Sequence, residues 1–210
     1  MQTAVAIDEM SGSQLLDHVA ELATTQHRCE VEILRAAAQH AYLHAPETLD
    51  PAAADQPGRE RARRLGGDST PHVTEFAAAE LGSRLGISSV AARDLMADAL
   101  DIAHRLPQLS ARVEKLEVRV YLARLVARRT RDLTAEQARY VDGRVARYAD
   151  GRLPWTRFQA LVEAVVKAAD PESAAARERA AAERQVAMPT RSDDDGMRGF
   201  FIRAPFATIA

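Results

Sequence analysis

Leu15, Val19, Leu22, Gln26, Cys29, Ile33, Ala36 and His40 alternate at spacings of four and three residues, which is the repeat of one face on a long α-helix. Ser11 or Ser13 can cap that helix, and it runs to about His44. The spacing approaches a coiled-coil seam, weakened by Gln26 and the small Ala36. Two readings stay open: a helix packed on its own domain, or half of a dimer-forming pair. Helical periodicity returns at Val73, and the pattern predicts further helices near 73–85, 89–106, 108–130, 135–149, 155–169 and 172–185. Aromatic residues make up only 5% of the chain, so the core must come from Leu, Val, Ile and Ala. Alanine favours helix and lets helices approach closely. The expected class is mainly α, an irregular helical bundle with a long N-terminal helix.

Breaks in the pattern set the organisation. Pro46, Pro51, Pro57, Gly58, Gly66, Gly67 and Pro71, with an arginine cluster at 59–64, predict a flexible linker over 45–72. Thr134 with Gln137 forms a capping box, Asp170 is a cap, and Pro154 and Pro171 fit first helical turns. Gly151 follows a helix end. Near the C-terminus, Gln185–Met188 and Gly199–Ile202 flank the polar run Ser192–Gly196, the signature of a small β-hairpin. Phe200, Phe201, Ile202 and Phe206 would leave it exposed, so residues 186–210 are expected to be a partial, truncated hairpin or a docking surface. The expected divisions are a long helix at 1–44, the linker at 45–72, a helical domain at 73–185 and the partial hairpin at 186–210.

Several function classes are set aside by what the residues lack. The single cysteine, Cys29, gives no disulfide framework and no cysteine-rich metal site. No basic stretch precedes an apolar run at the N-terminus, and no run of 18 apolar residues occurs, so no membrane role is expected and the chain reads as cytoplasmic. No phosphate-binding glycine loop, His-Glu-x-x-His or nucleophile elbow is present, so no catalytic residues, cofactor or metal are expected. His40 and His44 lie four apart on a helix, a spacing that suits a metal, but no third ligand accompanies them. Asp193–Asp195 read as hairpin-turn residues rather than a cation site.

Two features point toward nucleic acid, each with a plainer alternative. Leu81 to Leu95 carries helix-turn-helix logic: Gly82 permits a close crossing, Gly86 takes the turn, Ile87 plugs it, and Ser88 or Ser89 caps the second helix. That second helix would offer Ser89 and Arg93 to a groove. Yet residues 73–104 hold two basic and five acidic side chains, which suits a structural corner better than a DNA reader. Charge changes sign beyond it, with −8 over residues 1–104 and +7 over 105–167. Arg124, Arg128 and Arg131 recur at helical spacing, joined by Arg119, Arg129, Arg139, Arg144 and Arg147, and guanidinium groups suit phosphates. A solvated or partner-docking face is the alternative. The candidate DNA contacts are therefore Ser89, Arg93, Arg119, Arg124, Arg128, Arg129 and Arg131.

An ordered string of motifs carries a family resemblance. Ala78-Ala79-Glu80-Leu81 to Ser88, Ala91–Leu95, His104–Pro107, Arg131–Glu136, Tyr140–Asp142, Trp155-x-x-Phe158-x-x-Leu161-Val162, Ala169–Glu172 and Asp195–Met197 resemble the actinobacterial 13E12-repeat family, domain of unknown function 222. Arginine outnumbering lysine 26 to 2 agrees with the codon bias of a GC-rich genome. The resemblance covers about residues 13–205. It implies the N-terminal accessory part of proteins whose longer members carry a C-terminal HNH nuclease domain, where His and Asn residues hold a catalytic metal. None of those residues has a counterpart here. Where the family often breaks the chain with Gly and Pro after the Leu-Pro, this sequence has Leu116 and Arg119, which predicts one continuous helix over 108–130. Two functions follow as expectations. One is a non-catalytic, DNA-associated module that contacts duplex DNA through the arginine face. The other is a helical interaction module that docks on itself or on a separately encoded nuclease part.

Overall fold

The computed structural model describes residues 6–49, 60–183, 186–189 and 195–203. The protein is mainly α, and the chain divides into two units, Met1–Val166 and Lys167–Ala210.

The first unit is built on α1 (Gly12–Leu43). Ser11 caps it: its hydroxyl accepts from Gln14 N–H, and the Gln14 side chain accepts from Ser11 N–H. The buried stripe of α1 is His27, Val31, Leu34, Ala37, Ala38 and Ala41. The seam from Leu15 to Ile33 lies on the outside, and Leu15, Val19, Leu22, Cys29 and Ile33 are all exposed. The helix thus carries two apolar stripes, and the one with smaller residues faces the bundle. His27 Nε2 fixes this orientation by donating to the Val118 carbonyl at 3.1 Å.

The stretch predicted as a linker holds regular structure. Residues 50–59 lie outside the described residues, but β1 (Ala62–Arg64) and β2 (His72–Thr74) form an antiparallel hairpin with Arg63 opposite Val73. Val73 is fully buried, and Thr74 N–H donates to the His44 carbonyl at 2.9 Å. The helix predicted from residue 73 therefore begins only at α2 (Ala77–Leu85).

The corner between α2 and α3 (Ser89–Arg105) follows the predicted logic with one correction. Gly86 takes φ 67°, Ile87 N–H closes on the Gly82 carbonyl, and the Ser88 hydroxyl accepts from Ala91 N–H. A Cβ on Gly82 would come 2.9 Å from the Ile87 carbonyl oxygen, so the crossing needs glycine. Ile87 itself is exposed, so it does not plug the turn. Buried Ala78 and Ala92 fill the crossing instead.

The continuous helix expected over 108–130 is broken into α4 (Pro107–Glu114) and α5 (Val120–Thr130). Leu116 adopts φ 59°, Leu116 N–H bonds the Val113 carbonyl, and Glu117 N–H bonds the Arg112 carbonyl. This is a left-handed helix cap made without glycine. Burial of Val113, Val118 and Val120 repays the strained residue. Buried Asp142, on α6 (Ala135–Val145), caps α4 from outside: its carboxylate accepts from Gln108 N–H at 2.7 Å and Leu109 N–H at 3.0 Å. Burial raises its pKa, and the two N–H donors only partly oppose that. Thr134 with Gln137 forms the capping box of α6. From α7 (Trp155–Ala169), Phe158, Val162 and Val166 enter the core.

In the second unit, Asp170 accepts from Ser173 N–H at the start of α8 (Pro171–Glu183). A hairpin of β3 (Val186–Pro189) and β4 (Phe200–Arg203) follows, antiparallel with Met188 opposite Phe201. Phe200, Phe201 and Ile202 are exposed. Gly196, at φ 77°, belongs to the predicted turn, whereas Asp193, Asp194 and Phe206 lie outside the described residues.

Candidate functional site

The arginine face of α5 lies against an acidic stripe on α3. Asp98 and Asp101 are three residues apart, so they share one side of α3, and both side chains are 0% exposed. Arg124 and Arg128 line the facing side of α5, and Arg131 follows at its C-terminal end. Asp98 accepts from Arg124 Nε at 2.7 Å, Arg128 Nε at 3.0 Å and Arg131 Nη2 at 2.7 Å. Asp101 accepts from Arg131 Nε at 2.9 Å, Arg105 Nη1 at 3.0 Å and the backbone N–H of Gly67 at 2.7 Å.

Arg105 is completely buried and extends the network. Its Nη2 donates to the carbonyls of Thr130 and Leu133, satisfying the end of α5 with a cation, as a helix C-terminus favours. Gly67 sits directly on this guanidinium, where any Cβ would collide with Arg105 Nη1 and the Arg131 carbonyl. The loop between β1 and β2 is thereby locked to α3 and α5. Burial works against the charge of Arg131, but Asp101 and Asp98, through hydrogen bonds and charge, outweigh it and raise its pKa above the usual arginine value.

The remaining candidates are scattered around this centre. Arg119 occupies the cap position of α5, and Arg129 pairs with Glu163 at 3.1 Å. Arg93 lies 4.0 Å from neighbouring Asp94, and with Ser89 it borders a shallow groove shared with Arg63, Glu75 and Phe76. Arg144 and Arg147 lie over the rings of Tyr140 and Tyr148. The fold therefore gathers Arg124, Arg128 and Arg131 and leaves Arg129, Arg93 and Ser89 apart from them. Asp98, Asp101, Arg105 and Gly67 are the partners that reading the sequence missed. The spacing of Asp98, Asp101 and Arg105 against Arg124, Arg128 and Arg131 is a usable signal, because both sets mark one helix face.

These features define a helical module knit together by a buried ionic network. The chain belongs to the family described as Domain of unknown function (DUF222), whose model matches residues 18–202. No curated protein and no solved structure matches it. Among the described residues, no helix is long and apolar enough to cross a membrane.

Proposed function

We propose that the chain is a non-catalytic binding module, the DNA-associated helical accessory part of an HNH-nuclease-like protein, acting on duplex DNA through its arginine face. The HNH link comes from the family resemblance. The contact surface comes from the arginine array. Arg124, Arg128 and Arg131 bring three partly exposed guanidinium groups against the carboxylates of Asp98 and Asp101, with buried Arg105 behind them, so positive charge is in excess. Arg124 and Arg128 are held through Nε, and Arg128 remains 51% exposed. A guanidinium fixed this way loses less side-chain freedom on meeting a phosphate.

The test is binding to random-sequence duplex across a salt series, with wild type beside Arg128→Glu. Arg128 is the most exposed of the three and Asp98 keeps two other partners, and circular dichroism checks that the variant is folded before its binding is compared. Phosphate contact predicts steep loss of affinity with salt and weaker binding by the variant. No binding at low salt, or identical curves, overturns the reading.

A second reading rests on a separate observation. Leu15, Val19, Leu22 and Ile33 form an outward stripe on α1, a face suited to pairing two copies of the chain. Sedimentation of wild type against Leu22→Arg separates the readings, because this substitution lies outside the arginine face. Loss of a dimer supports self-association, and a monomeric wild type excludes it.

A further inference from the structure

The C-terminal end of α1 and the first turn of α2 bring together two imidazoles and a carboxylate. One ligand atom each from His40, His44 and Glu80 lies within 4.8 Å of the other two. The hydrogen bonds around the rings decide where the protons sit. His40 Nε2 lies 2.9 Å from the Ala77 carbonyl oxygen, and His44 Nδ1 lies 2.9 Å from the His40 carbonyl oxygen. A carbonyl oxygen only accepts, so each of these nitrogens carries the hydrogen. His44 Nε2 is then the lone-pair nitrogen of its ring, yet it faces Glu80 Oε2 at 3.2 Å. Two acceptors at that distance need something shared between them, a proton or a cation.

We infer that His40, His44 and Glu80 form a site for one divalent transition-metal ion of the Zn²⁺ class. Two imidazoles and one carboxylate are a ligand set that Zn²⁺ takes in tetrahedral geometry, with a fourth position left for water. Bonds of about 2.0–2.2 Å put neighbouring ligand atoms about 3.4 Å apart, so the cluster needs only side-chain adjustment. Glu80 is exposed and free to make it. The His44 Nδ1–H bond to a backbone carbonyl is the outer-shell arrangement that orients a metal-binding imidazole and turns its other nitrogen to the ion. The open position faces a groove of about 740 Å³ lined by His40, Ala79, Glu80, Leu81, Ser83 and Arg84. An ion here ties α1 to α2 beside the hairpin strand that already bonds the His44 carbonyl.

The experiment is calorimetric titration of the full chain with zinc chloride, in a Cys29→Ser background because that thiol is exposed and competes for zinc. Co²⁺ serves as a spectroscopic probe of tetrahedral coordination. The expected result is saturation at one equivalent, a rise in melting temperature on loading, and affinity at least about tenfold weaker in both Glu80→Gln and His44→Asn. Absence of saturable binding overturns the site and leaves a hydrogen-bonded His44–Glu80 pair. Binding unchanged in Glu80→Gln overturns it too, and this exposed position decides the matter even if His44→Asn fails to fold.

Discussion

Leu116 holds a left-handed backbone conformation at the end of α4, where a Cβ costs about 1–2 kcal/mol. Leu116→Gly removes that strain but loosens the unfolded chain, so a net gain of up to about 1 kcal/mol is expected in urea denaturation. Leu116 and Arg119, standing where a helix breaker would sit, are what made a continuous helix over 108–130 the natural reading. What local pattern could not convey is that Val118, buried in the core, pulls the chain out of helical register just after residue 116. The caps were legible because each needs only neighbours a few residues away: Ser11 with Gln14, Ser88 with Ala91, Thr134 with Gln137. Glu80 was not. It lies 36 residues from His44 in the chain and meets it only because α1 and α2 pack together.

Among elements, the pairing of α3 with α5 makes the clearest energetic demand. Asp98 is fully buried beneath three guanidinium groups, so Asp98→Ala leaves positive charges facing a low-dielectric gap and should cost about 3–5 kcal/mol. Arg128→Ala removes a half-exposed partner and should cost under about 1 kcal/mol. Chemical denaturation of both variants checks this asymmetry; similar costs would show the network to be wrongly described. Each stripe is visible in the sequence as a helix face, but nothing local says that one lies on the other. The arginines therefore read as free surface charge, and the aspartates read as charges that would repel DNA. The hairpin of β1 and β2 was hidden for a related reason. Its glycines and prolines look like a linker, yet Gly67 is required by close contact with Arg105.

At the scale of the molecule, α1 is also tied to α3 by Tyr42, whose hydroxyl meets His104 Nε2 at 3.0 Å. Burial raises the Tyr42 pKa above its ordinary value of 10.0. The fold prefers the neutral phenol, so this contribution is complete below pH 10 and is lost as pH climbs through the raised folded value. Tyr42→Phe should therefore be less stable than wild type by about 1 kcal/mol near neutrality, with the gap closing above pH 10. Stability measured at pH 8 and pH 11 tests this, and a gap that widens with pH contradicts it. The mainly α class could be read from periodicity alone, because almost every helix shows its own apolar face. The choice between the two faces of α1 could not, since both satisfy the same repeat.

The arrangement around Asp98 is a hub with three spokes, and tolerance to change is correspondingly unequal. The fold can lose any one arginine while the other two hold the hub, so a limit on change at a single spoke comes from what α5 contacts rather than from folding. The hub itself can be exchanged only together with several of its spokes, which ties the histories of α3 and α5 to one another.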